Sequence, residues 1–177
     1  GGNWESGQAV IASERELAET INTTLKFPSL NFPYRVTYYF EKDFELSVEQ
    51  ANSLQSLPIR HLIDDGAVFY LNGTEVLRTN LPGGVITAAT RATNNIEAVL
   101  SSSIPLPPGA AVAGTNRLSV EVHQTDGSSS DIVFGAEFDM AIKDPAPGSA
   151  PQIVINEIPP ATEADFWIEL INTGVGG

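Results

Sequence analysis

The sequence predicts an all-β fold, a sandwich or barrel of short strands, on three observations. Apolar and polar residues alternate at period two in run after run, the mark of a half-buried strand. Clusters of Gly, Pro, Asn and Ser separate those runs, as turns between strands do. Helix signals are confined to two brief stretches.

In chain order, "SERELAETI" (Ser13 to Ile21) comes first. Its Ser is followed three residues later by Glu16, a capping-box spacing, so one or two helical turns are expected. "RVTYYFEKDFEL" then sets Val36, Tyr38 and Phe40 against Thr37, Tyr39 and Glu41; Phe44 and Leu46 keep the apolar parity, and Lys42 interrupts it. "SVEQANSLQ" (Ser47 to Gln55) has a second capping-box opening between strands, and reads as a helical turn or a loop. "LPIRHLI" carries Leu57, Ile59 and Ile63 on one parity with His61 among them. "AVFYL" is a strand bounded by Gly66 and by Asn72-Gly73, a type I′ hairpin signal. Ala88 to Ser103 is ambiguous. "IPLPPGAAVAGTN" is a Pro/Gly connection that excludes a central strand. "NRLSVEVHQ" places Leu118, Val120 and Val122 opposite Ser119, Glu121 and His123. "DIVFGAEFDMAI" gathers Ile132, Phe134, Ala136, Phe138, Met140 and Ile142 on one face.

The organisation follows. Residues 1–142 form the β domain. Residues 143–152, "KDPAPGSAPQ", are a Pro/Gly/Ala linker. Residues 153–177 hold two further strand-like runs and are too short to close a core alone, so they read as the start of a second domain or as an edge strand donor.

Bulk properties exclude several functions. The chain has 177 residues, a net charge of −13 and no cysteine. Nine Lys and Arg spread along the chain do not make a phosphate-neutralising patch, so nucleic acid is not an expected partner. The absence of cysteine removes disulfides, thiolate metal sites and thiol nucleophiles. No apolar run reaches the length of a membrane span, and the start "GGNWESG" reads as mature or internal rather than as a signal peptide. No Ser-His-Asp elbow, HExxH, P-loop or dinucleotide fingerprint occurs, so no enzyme activity is expected.

Four stretches in order, "YYFEKDFEL", "IDDGAVFYLNGTEVLRTNLPGG", "GTNRLSVEVHQ" and "SSSDIVFGAEFDM", resemble a galactose-binding-like jelly-roll module of large secreted bacterial multidomain proteins. The likeness covers about residues 34 to 142. The end, "IVINEI" with "DFWIELINTG", resembles the first two strands of a lamin-tail domain, an immunoglobulin-like sandwich. The resemblance implies a jelly-roll β-sandwich, a secreted or cell-surface location, carbohydrate or neighbouring domains as partners, and a structural calcium ion as cofactor.

The metal candidates are Asp64, Asp65, Asp126 and Asp131, with Ser130 nearby. Adjacent carboxylates at a strand end suit a hard cation, yet the same Asp-Asp-Gly reads first as a turn in which Asp accepts backbone N–H bonds. The ligand candidates are Tyr39, Arg78, Asn80, His123 and Gln124, because sugars stack on exposed rings and bond to polar side chains. Trp4, Tyr34 and Trp167 are further rings of that kind. Glu137 and Asp139 read as a solvated strand face or a glycosidase-type pair. Asn22-Thr-Thr24 and Asn72-Gly-Thr74 are glycosylation sequons. A structural module that assembles by strand exchange through residues 153–177 is the alternative expectation.

Overall fold

The structure, a computed structural model, describes residues 4–14, 17–25, 35–129 and 131–143, together with the backbone of strands at 153–157 and 169–172. It divides into two compact units, Gly1–Ile142 and Lys143–Gly177. The first unit runs β1 (Ile11–Ser13), β2 (Thr23–Thr24), β3 (Thr37–Leu46), α1 (Val48–Ser53), β4 (Leu54–Asp64), β5 (Gly66–Leu71), β6 (Thr74–Thr79), β7 (Ile104–Leu106), β8 (Gly114–His123), β9 (Ile132–Phe138) and β10 (Ala141–Ile142). In the second, β11 (Ile153–Glu157) pairs antiparallel with β12 (Glu169–Asn172). The linker residues 144–152, with Tyr34, Ser130 and Trp167, lie outside the described residues.

The first unit is an all-β sandwich. One sheet has the order β3-β8-β5-β6, antiparallel throughout. The other is built on β4: β9 runs along Ile59–Asp64, β7 along Leu57–Ile59, and β10 along the first residues of β4. β1 adds to β9 and β2 to β1, the last pair parallel. The period-two pattern sets the faces. Tyr38, Ile59, Phe69, Val120, Val122, Ile132 and their same-parity neighbours turn inward as the main core. Phe40 stacks on Phe134 across the sheets at 4.2 Å between ring centres. Asn72 and Gly73 hold φ of 53° and 80°, the left-handed pair of a two-residue hairpin, and join β5 to β6.

The two capping-box stretches part company. Ser47 caps α1: its Oγ accepts from Gln50 N at 3.1 Å while Gln50 Oε1 accepts from Ser47 N at 2.8 Å. The helix expected at Ser13 to Ile21 is absent among the described residues of that stretch. There the backbone of β1 is taken by β9, and Leu17 and Ile21 pack against Ala12, Leu62 and Val133. Sheet pairing and burial on the outer side of the β4/β9 sheet outweigh a local cap.

His61 sits on the inner face beside Phe69, at 5.4 Å between ring centres, with Nδ1 unpartnered. Burial holds its pKa below the ordinary histidine value. The unfolded chain therefore binds more protons below about pH 6.5, and this residue withdraws stability as pH falls through that range. His61→Leu is expected to raise the melting temperature more at pH 5 than at pH 7. An equal shift at both pH values in thermal unfolding would remove His61 as the cause.

Candidate functional site

Asp64, Asp65 and Gly66 carry the chain from β4 in one sheet to β5 in the other. The two carboxylates have opposite surroundings. Asp65 is 1% exposed, and both its oxygens are engaged: Oδ1 accepts from Ile96 N at 2.9 Å, and Oδ2 from Thr125 N at 2.8 Å and Thr125 Oγ1 at 3.1 Å. It is a bracket that fixes the 80–103 loop and the residue after Gln124. Gly66 is required by space, since a Cβ there would lie 2.8 Å from the Asn80 carbonyl oxygen.

Among the described residues, Asp64 accepts no hydrogen bond from a backbone N–H. It is 4% exposed, and its pKa is pushed up to about 8, first by burial and then by the charges of Asp131, Asp65 and Glu97. Nearby, Glu14 after β1, Glu97 in the long loop and Asp131 before β9 bring one ligating oxygen each within 4.8 Å of one another. Oxygens about 2.4 Å from a shared calcium ion lie no farther apart than this, so the donor set fits such a cation. Asp64 and Asp131 were foreseeable as metal candidates. Glu14 and Glu97 carry no local motif, and only the fold brings them together. Asp126 turns back onto its own loop, accepting from Ser128 N at 2.6 Å, and stands apart from the group.

The expected ligand residues divide sharply. His123 is fully buried: Nδ1 lies 2.8 Å from Thr90 O and 2.9 Å from Thr37 Oγ1, and Thr37 donates to Ala88 O. A carbonyl can only accept, so the Nδ1 proton points to Thr90. Gln124, 1% exposed, donates from its backbone N to Val36 O and from its side chain to Asp131 O. Asn80 clasps Asn94 and donates to Asp65 O at 3.1 Å. Arg78 is committed to Glu75 in a two-pronged ion pair and to the carbonyls of Pro82 and Gly84. These four are scaffold: the 80–103 loop engages His123, Asn80 and Arg78 at that end of the sheet, and Gln124 is held by Val36 and Asp131. Among other candidates, exposed Glu137 pairs with Arg60 at 3.0 Å. The amides of both sequons already donate, Asn22 to Ala9 O and Asn72 to Ala110 O and Asn116 Oδ1.

Tyr39 alone keeps the expected exposure, at 48%. It stands on the outer face of the β3-β8-β5-β6 sheet, where the long loop leaves the strands open. Its cross-strand partner is Glu121 on β8, followed by Val68 on β5; Tyr70 pairs with Ser119 one step along. Two tyrosines thus flank one half-buried carboxylate. Burial and the Glu121 charge raise both phenol pKa values. Tyr39 also borders a groove of about 980 Å³ beside β3, lined by Trp4, Phe40, Phe44, Phe138 and Met140. Trp4 is 61% exposed there. Tyr70 escaped sequence reading because "AVFYL" shows no alternation that would single out its open side.

The fold and this face define an all-β sandwich domain with an open, tyrosine-bearing sheet. No family model and no curated protein matches the chain. Among solved structures it is similar to the crystal structure of a β-D-mannosidase from Dictyoglomus thermophilum, with 20% identity and a TM-score of 0.34. The match covers 49% of this chain and 9% of that one, so the chain spans a small part of that protein's length.

Proposed function

We propose that this is a non-catalytic module of an exported bacterial protein, a galactose-binding-like jelly roll that binds carbohydrate weakly on the open face of its four-stranded sheet. The single observation that carries the reading is the pair of tyrosines, Tyr39 and Tyr70, on a solvent-facing strip with Glu121, Ser119, Glu41 and Arg117. Rings supply apolar area for a sugar face, and the neighbouring carboxylates and hydroxyl supply hydroxyl partners. The groove rimmed by Trp4 extends the same surface. A calcium ion held by Glu14, Glu97 and Asp131, with Asp64 beside them, belongs to this reading as a structural cofactor; it would neutralise converging carboxylates and tie three segments together. The C-terminal hairpin is read as the start of a lamin-tail domain.

Tyr39→Ala is the direct test. Because the side chain is half exposed, the variant is expected to keep its melting temperature within about 2 °C while losing roughly tenfold or more in affinity for a retained polysaccharide. Affinity electrophoresis through gels containing neutral and acidic polysaccharides measures it. Unretarded migration of the natural chain in every gel would overturn the proposal.

A further inference from the structure

Resting on the glycan reading, we propose that the open face selects an amine-bearing glycan, a polymer containing glucosamine, through Glu121 between Tyr39 and Tyr70. Glu121 has no lysine or arginine partner among the described residues. Its one charge-capable neighbour is His123, whose Nε2 lies 3.4 Å away without hydrogen-bond geometry and whose other nitrogen is engaged by Thr90. A carboxylate with 22% of its side chain exposed, unneutralised and bracketed by two rings, offers what an ammonium group needs. The anion supplies the opposite charge, and the rings supply negative π faces and exclude water from one side. Tyr39 is the direct cross-strand neighbour of Glu121, and Tyr70 the diagonal one, both within side-chain reach.

The rest of the face points the same way. Glu41, Asp43 and Glu75 surround the site, while the basic residues beside them are spent: Arg117 on Asp43 and Glu41, Arg78 on Glu75. A polyuronate would meet uncompensated carboxylates, and a neutral glycan would leave Glu121 to hydroxyl donors alone. A glucosamine polymer meets a carboxylate in the place where its ammonium is presented. The net charge of −13 draws such a polycation toward the module before contact.

Calorimetry at physiological salt with two soluble probes decides it: a glucosamine hexamer and the corresponding N-acetylglucosamine hexamer. The amine hexamer is expected to bind about tenfold or more tightly, and Glu121→Gln to erase that preference. Glu49→Gln on α1 measures the general charge effect and is expected to change affinity less than about twofold. Tyr39→Ala, at an exposed position, is expected to weaken the amine hexamer at least about threefold, and it keeps the test open if Glu121→Gln unfolds. Equal binding of both hexamers overturns the amine selection and leaves the glycan reading standing. So does equal loss in Glu121→Gln and Glu49→Gln, which would reduce the effect to net charge. Binding of neither hexamer, together with free migration through every polysaccharide gel, overturns both.

Discussion

Asp65→Ala is expected to destabilise the domain by about 3–5 kcal/mol. Alanine removes the acceptor of two backbone N–H groups, Ile96 and Thr125, and of the Thr125 hydroxyl. Those donors come from separate segments and converge on one carboxylate that is 1% exposed, so water cannot replace it without opening the corner. Loosening Ile96 frees the loop that engages His123 and Thr37, so the loss spreads beyond the mutated residue. Asp65→Asn keeps one acceptor oxygen but turns an NH₂ toward a donor, and falls between alanine and the natural residue. Chemical denaturation measures both. Because the Asp65 oxygens are engaged by donors of its own fold and Asp65 lies outside the group of converging carboxylates, the alanine penalty should be the same in calcium and in chelator. A penalty present only in calcium would mean that Asp65 is a ligand instead.

Most strands were legible because a half-buried strand writes its faces into the sequence at period two. Leu118, Val120 and Val122 against Ser119, Glu121 and His123 needed no structure to sort. Local signals failed where a longer-range term competed. Ser13 and Ser47 open equally good capping boxes, yet only Ser47 caps a helix, because the residues before Glu14 are claimed by β9. The site was less legible for the same reason. Asp64 and Asp65 are adjacent and identical, and nothing local tells which one meets three donors and which one faces other acids. His123 and Tyr39 both stand on the outer face of one sheet. Their difference is made by a loop joining β6 to β7, whose path is set by Asp65, Asn80 and Thr90. Glu14 and Glu97 meet Asp131 only because β1 adds to β9 and that loop returns past Asp64.

Calcium at about a hundred times its dissociation constant is expected to stabilise the domain by roughly 2.7 kcal/mol, because a ligand held only by the folded state shifts unfolding by mass action. The melting temperature should rise by several degrees on adding calcium and fall back with chelator. The acidic corner supplies the reason. Without a cation, Asp64 is buried among like charges and its pKa stands near 8, well above the unfolded value of about 3.9. The folded state then holds a proton that the unfolded state has lost, so the metal-free domain sheds stability as pH rises from about 4 to 8. A divalent ion reverses the preference by favouring the ionised carboxylate. Asp64→Asn separates the two effects. In chelator at pH 8 the neutral amide removes the opposed charge, and the variant is expected to melt higher than the natural chain; below about pH 3, where Asp64 is protonated in both states, the difference should vanish. In calcium the order at pH 8 inverts, since the variant has lost a negative charge beside the cation. Glu97→Gln, at an exposed position, should lose the calcium response and reduce the pH effect only by the share its charge adds to the Asp64 shift. Melting curves that superimpose with calcium and with chelator at pH 8 would leave the corner a proton-bearing acid cluster with no metal function.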